Sequence, residues 1–187
     1  WKNFPWQEAI FHFTRLLGSV HIGDQTAAKF ELETLNHLHD TLINKGETYT
    51  ANQVAIQIKA GSAWIMMKEG KKPQALALMQ TAADMESKTE KHPVTPGEVV
   101  PAEELLGDML MVLGEPAMAL KAYESNLQIH PNRFNAIYGA GMAAEKMGDM
   151  QKAPAYLQQL VNLAGNGPTE RLEVNTSKQF LKKHANR

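Results

Sequence analysis

Apolar positions recur at steps of three and four along most of this chain, the spacing of an amphipathic helix. No useful length alternates polar and apolar residues as a half-buried strand does. Prolines sit at the edges of the periodic stretches, as they do where helices are joined by tight turns. The pattern predicts helices over about 5–22, 24–45, 50–69, 72–90, 101–113, 115–130, 132–147, 149–164 and 169–184. They pair into four hairpins, over about 5–45, 50–90, 101–130 and 132–164, followed by a terminal helix. We expect an all-α domain spanning 1–187 with essentially no sheet.

Four of the predicted turns carry a glycine with an alanine five residues later: Gly23 with Ala28, Gly70 with Ala75, Gly114 with Ala119 and Gly148 with Ala153. Such self-similarity marks stacked units, none of which buries its apolar face alone. Gly114 and Gly148 are 34 residues apart, whereas Gly23 to Gly70 spans 47 and Gly70 to Gly114 spans 44. The extra residues are expected as longer helices around Leu42–Gln53 in the first case. In the second they form a loop over 91–101, where Pro93, Pro96 and Pro101 exclude a helix and Pro96-Gly97 suits a type II turn. His92 lies in this loop near Glu90, where it either fixes the loop by a hydrogen bond or contributes to a site.

Leu106-Gly107, Ala119, Tyr123 and Pro131, with Gly141, Ala153 and Leu157 one period on, resemble the tetratricopeptide repeat family. Gly107, Gly141 and Ala63 are expected to let the paired helix approach, and Tyr123 and Leu157 to fill the space between hairpins. The stretch from Glu90 through Pro101-Ala102-Glu103-Glu104 to Met109, with Pro131-Asn132-Arg133-Phe134-Asn135, is similar to the C-terminal part of an uncharacterised family of longer bacterial tetratricopeptide proteins. The resemblance implies a right-handed αα superhelix of four hairpins with a C-terminal capping helix. It brings no reaction with it.

In that family the first helix of each hairpin lines a concave groove. Carried onto this sequence, the groove would present Phe13 and Leu17, then Gln57, Trp64, Met67 and Lys68, then Glu104, Asp108 and Met111, and finally Asn135, Tyr138, Met142 and Glu145. An aromatic, Met-rich groove with an acidic side suits an apolar peptide or helix carrying positive charge. Family members that grip the C-terminal carboxylate of chaperones use a Lys and Asn clamp. The matching places here hold Phe13, Leu17, Trp64, Glu104 and Asp108, so that partner is not expected. The plainer alternatives are that Trp64, Met67 and Met111 pack the core and that Glu104, Asp108 and Glu145 are a solvated face.

Composition narrows the partners further. Among 187 residues, 19 basic and 20 acidic side chains leave a net charge of -1, with no positive field for nucleic acid or a membrane surface. No apolar run approaches the roughly 20 residues of a membrane span. The chain reads as soluble, cytoplasmic or periplasmic, and the absence of cysteine leaves the compartment open. It opens at Trp1 in an aromatic-rich phrase, which reads as a piece of a longer protein.

No nucleophile elbow, phosphate loop or His-Glu-x-x-His motif is present, and no cofactor or catalytic group is assigned. His37 and His39 point to opposite sides of a helix. Glu8 and His12 share a face, but a pair falls short of the three or four ligands a metal normally takes. Asp84, Glu86 and Glu90 are expected to face solvent. The sequence therefore favours an interaction scaffold that holds a protein or peptide segment. One alternative is a small-ligand or enzymatic module closed by the 90–101 loop. Another is self-association, or docking to missing upstream repeats, through Phe4, Trp6, Phe11 and Phe13.

Overall fold

A computed structural model of the chain describes residues 4–90, 98–165, 167 and 169–184. Among them are nine helices and no strand: α1 (Pro5–Ile22), α2 (Gln25–Asn44), α3 (Thr48–Lys68), α4 (Lys72–Ser87), α5 (Ala102–Leu113), α6 (Pro116–Ile129), α7 (Phe134–Met147), α8 (Lys152–Ala164) and α9 (Leu172–His184). The all-helical expectation holds, with the predicted elements in the predicted order. Two helix starts come three residues later than expected, for a local reason. Asp149 accepts the Gln151 and Lys152 N–H groups at 3.0 and 2.9 Å, which delays the start of α8 to Lys152. Thr169 Oγ1 accepts the Arg171 N–H at 3.2 Å ahead of α9.

The Gly/Ala signature is a turn module with a definite hydrogen-bond pattern. At Gly148, φ is +73°, and its N–H donates to Glu145 O. The next residue, Asp149, donates to Ala144 O and accepts from the Ala153 N–H through its own carbonyl. One residue thus finishes one helix and starts the next, and the left-handed backbone before it is open only to glycine at low cost. Gly23, Gly70 and Gly114 repeat the module, and Ala28, Ala75, Ala119 and Ala153 are all fully buried. A fifth copy, Gly46 with Ala51, joins α2 to α3 with the same bonds (Glu47 N–H to Leu42 O, Ala51 N–H to Glu47 O).

The chain divides into two compact units, Trp1–Leu105 and Leu106–Arg187. In the first, α1 packs on α2 and on α3, and α3 also packs on α2 and α4. Gly61 of α3 lies under Leu16 of α1, where a Cβ would come within 2.8 Å of Leu16 Cδ1. With three helices around it, α3 buries residues over most of its circumference, from Ala51 and Val54 to Ile65 and Met67, and leaves Asn52, Ala55, Lys59, Ser62 and Met66 half-buried along one stripe. This is the reason its sequence is apolar nearly all round.

In the second unit α7 packs between α6 and α8, and α8 packs on α9. Buried Tyr123 is wedged between Gly107 and Gly139: a Cβ on Gly107 would lie 2.6 Å from its ring, and one on Gly139 would also overlap it. One period later Gly141 receives Leu157, with a Cβ-to-Cδ2 approach of 2.6 Å. Large side chains seated on glycines let these helices come close, as expected for Gly107 and Gly141. Gly139 and Gly61 do the same work at positions the sequence pattern did not single out.

Candidate functional site

In the first unit the residues expected along a groove are mostly interior. Gln57, Trp64 and Met67 are 6%, 5% and 8% exposed, Phe13 is buried, and only Lys68 at the end of α3 stands in solvent. Glu104 in the first turn of α5 is 1% exposed, so it belongs to neither a groove wall nor a solvated face. Two polar atoms on this side of α3, Gln57 Oε1 and Trp64 Nε1, are buried without a hydrogen-bond partner. The Trp64 ring sits 6.2 Å from that of His21. His92 and the Pro96-Gly97 turn lie outside the described residues.

Glu86 departs from its expected place at the solvent surface. It lines a cavity of about 10 Å³ together with Phe13, Gln53, Gln57, Val99 and Val100. Burial is the main cause that raises its carboxyl from the usual carboxylate range to about 8, and the negative charges of Glu98 and Glu103 add to it. Its Oε1 accepts the Ala102 N–H at 2.8 Å, which opposes the rise without cancelling it.

A second cluster joins α1 to α2. Glu31, 1% exposed, accepts from His12 Nδ1 at 2.5 Å and from Arg15 Nε at 2.6 Å, and His12 Nε2 lies 3.9 Å from Glu8. The Glu8–His12 pairing was legible from its spacing of four, but Glu31 arrives from another helix and no spacing announces it. Among the described residues no group of three His, Cys, Asp or Glu side chains is arranged to hold a metal ion. On the outer side of α1, Phe4 and Phe11 are 59% and 46% exposed, while Trp6 and Phe13 of the expected aromatic face are buried. Arg15 covers Phe11, its guanidinium carbon 5.4 Å from the ring centre.

The second unit presents an open helix face. On α7, Asn135 and Glu145 are exposed and Tyr138 and Met142 half-buried, at steps of three, four and three, while Ala136, Ile137, Ala140, Ala143 and Ala144 are buried. Burial raises the Tyr138 hydroxyl above its ordinary pKa; a hydrogen bond with Thr176 opposes this, and the charges of Glu173 and Glu145 add to the rise. It therefore stays a neutral donor and acceptor. Asp108 is exposed and accepts the Tyr123 hydroxyl at 2.6 Å, and Met111 is half-buried.

Two recesses flank this unit's helices. One, of about 420 Å³, is lined by Asn132, Arg133, Phe134, Asn135 and Arg171, with the Arg171 guanidinium 3.7 Å above the Phe134 ring. The other, of about 410 Å³, lies beside Glu124, Leu127, Pro131 and Tyr156. There Glu124 accepts from Lys152 at 2.7 Å and from the Tyr156 hydroxyl at 2.9 Å; burial first, then this contact, push Tyr156 up to about 12. Among the described residues no helix is long and apolar enough to cross a membrane. No protein-family model and no curated protein matches the chain.

Proposed function

We propose that the chain is a tetratricopeptide-like interaction scaffold whose α7 face holds a peptide segment of a partner protein. The stripe Asn135, Tyr138, Met142 and Glu145 carries this reading, since it sets accessible aromatic and thioether surface between polar ends on a helix otherwise packed on both sides. Tyr supplies rigid contact area and a hydroxyl, Met adapts to irregular apolar shapes, and Glu145 with Asp108 favours a peptide bearing positive charge. A carboxylate-terminated chaperone tail is not the ligand in this reading. The 34-residue repetition of Gly107 with Tyr123 in Gly141 with Leu157 supports the right-handed superhelix, with α9 as its capping helix.

Panning a random-peptide phage library on the whole chain tests this. Enriched sequences should combine an apolar anchor with Lys or Arg, and Tyr138→Ala with Met142→Lys should weaken their binding at least tenfold. Enriched peptides that bind the variant as well as the parent would overturn the assignment. A second reading rests on exposed Phe4 and Phe11: this surface docks a further copy or an upstream segment. A monomer at high concentration in sedimentation would argue against the copy.

A further inference from the structure

Glu86 occupies a position that serves two elements at once. Its carboxyl accepts the Ala102 N–H at 2.8 Å and also bonds the Glu103 N–H, so a side chain from the end of α4 caps the first turn of α5. It also faces the small cavity, which has room for one water-sized sphere. Gln57 lines the same cavity from α3, and its Oε1 is buried with no donor to satisfy it. A carboxylate has no hydrogen to offer such an oxygen, and a carboxylic acid has one.

The surroundings favour the acid. Among the described residues, the charged groups set against Glu86 are Glu98 on the segment before α5 and Glu103 on α5, both of its own sign. The helices α1 and α3 contribute Phe13, Gln53, Ile56, Gln57 and Ala60 to the cavity wall, none of which titrates.

We propose that the Glu86 carboxyl is a proton-operated latch. In its neutral form it donates to Gln57, directly or through one water in the cavity, and clasps residues 98–102 against α3. When the proton leaves for solvent, two acceptors confront each other beside two further carboxylates, the ionised group turns to water, and residues 98–102 release from α3. Phe13 and Gln57 are then uncovered. The latch does not depend on the peptide-binding assignment of α7.

The direction follows from linkage. The folded-state value, about 8, lies above the ordinary 4.5, so the stability the neutral carboxyl contributes is complete below pH 4.5 and is lost as pH rises through 8, and the clasp in the folded protein opens around the folded-state value. Amide exchange of the whole chain at pH 6.5 and pH 9, expressed as the protection factor of the Ala102 N–H, reads it out. Protection should fall at least tenfold in the parent. It should hold in Glu86→Gln, whose carboxamide can donate to Gln57 and accept from Ala102 at both pH values. A smaller fall in the parent, or an equal fall in the variant, would overturn the latch. Should the variant fail to fold, the carboxyl carbon shift of Glu86 in the parent decides: a midpoint above 6.5 supports the proposal and one at or below 6.5 refutes it.

Discussion

The two units reach a packed helical core by different means. The first uses long helices, of 18, 20, 21 and 16 residues in α1 to α4, and inserts ionisable side chains between them. Glu31 sits among His12 and Arg15 at the α1–α2 contact, and Glu86 reaches inward beside Gln57. The second uses helices of 14, 14, 13 and 13 residues in α6 to α9 and closes their contacts by seating Tyr123 and Leu157 on glycines. Short helices with small buried residues leave Asn135 and Glu145 exposed at the ends of the α7 stripe, whereas long α3, surrounded by three partners, keeps its own stripe of Asn52, Ala55, Lys59, Ser62 and Met66 half-buried. A repeat that keeps its period thus leaves room for a binding stripe. One that lengthens its helices spends the same positions on its own core.

Substitutions can break each half of this contrast separately. Tyr123→Ala should have the largest effect, since it empties the space between Gly107 and Gly139 and removes the bond to Asp108; a loss of about 3 to 5 kcal/mol is expected in urea unfolding followed by circular dichroism. Glu31→Ala attacks the corresponding strength of the first unit. Stranding His12 and Arg15 should cost about 2 to 3 kcal/mol, toward the low end for a buried pair because Arg15 is 57% exposed. Replacement by Met, which fills the space without charge, should recover part of it.

Gly139→Ala should cost about 1 to 3 kcal/mol through overpacking against Tyr123. Gly18→Ala is the control from the other unit. Nothing lies within 4 Å of its Cβ position in α1, so alanine there should stabilise the helix by about 0.5 to 1 kcal/mol, read as a raised thermal midpoint.

The smallest effect is expected at the surface link from Glu69 to Lys29 and Lys71, at 2.8 and 2.9 Å. The Lys29 bond first, then the Lys71 bond, lower the Glu69 carboxyl to about 2. Because the value is lowered, any stabilisation is present above pH 4.5 and fades as pH falls toward 2. Acid titration of Glu69→Gln beside the parent should show a slight convergence of thermal midpoints, and added salt should shrink the difference.

How much of this the sequence declared depends on the range of each signal. The turn glycines were legible because a left-handed cap is a local requirement, and the order of helices followed from them. Gly46 with Ala51 carries the same signature but stays hidden in a count by hairpins, which treats a turn between hairpins as a spacer. The buried state of Gln57, Trp64 and Met67 was present in the all-round apolarity of α3, a pattern that a groove-lining helix does not need. Glu86 and Glu31 were illegible for another reason. Their surroundings come from α5 and α1, and no periodicity within α4 or α2 reports what lies opposite. On α7 the steps of three and four between buried alanines did identify the accessible stripe.

That stripe is the centre of the account, and a single thiol can probe it because the chain contains no cysteine. Met142→Cys should react readily with a maleimide in the folded protein, and a saturating peptide from the phage selection should slow the reaction at least tenfold. Labelling that proceeds at the same rate with the peptide bound would contradict the account.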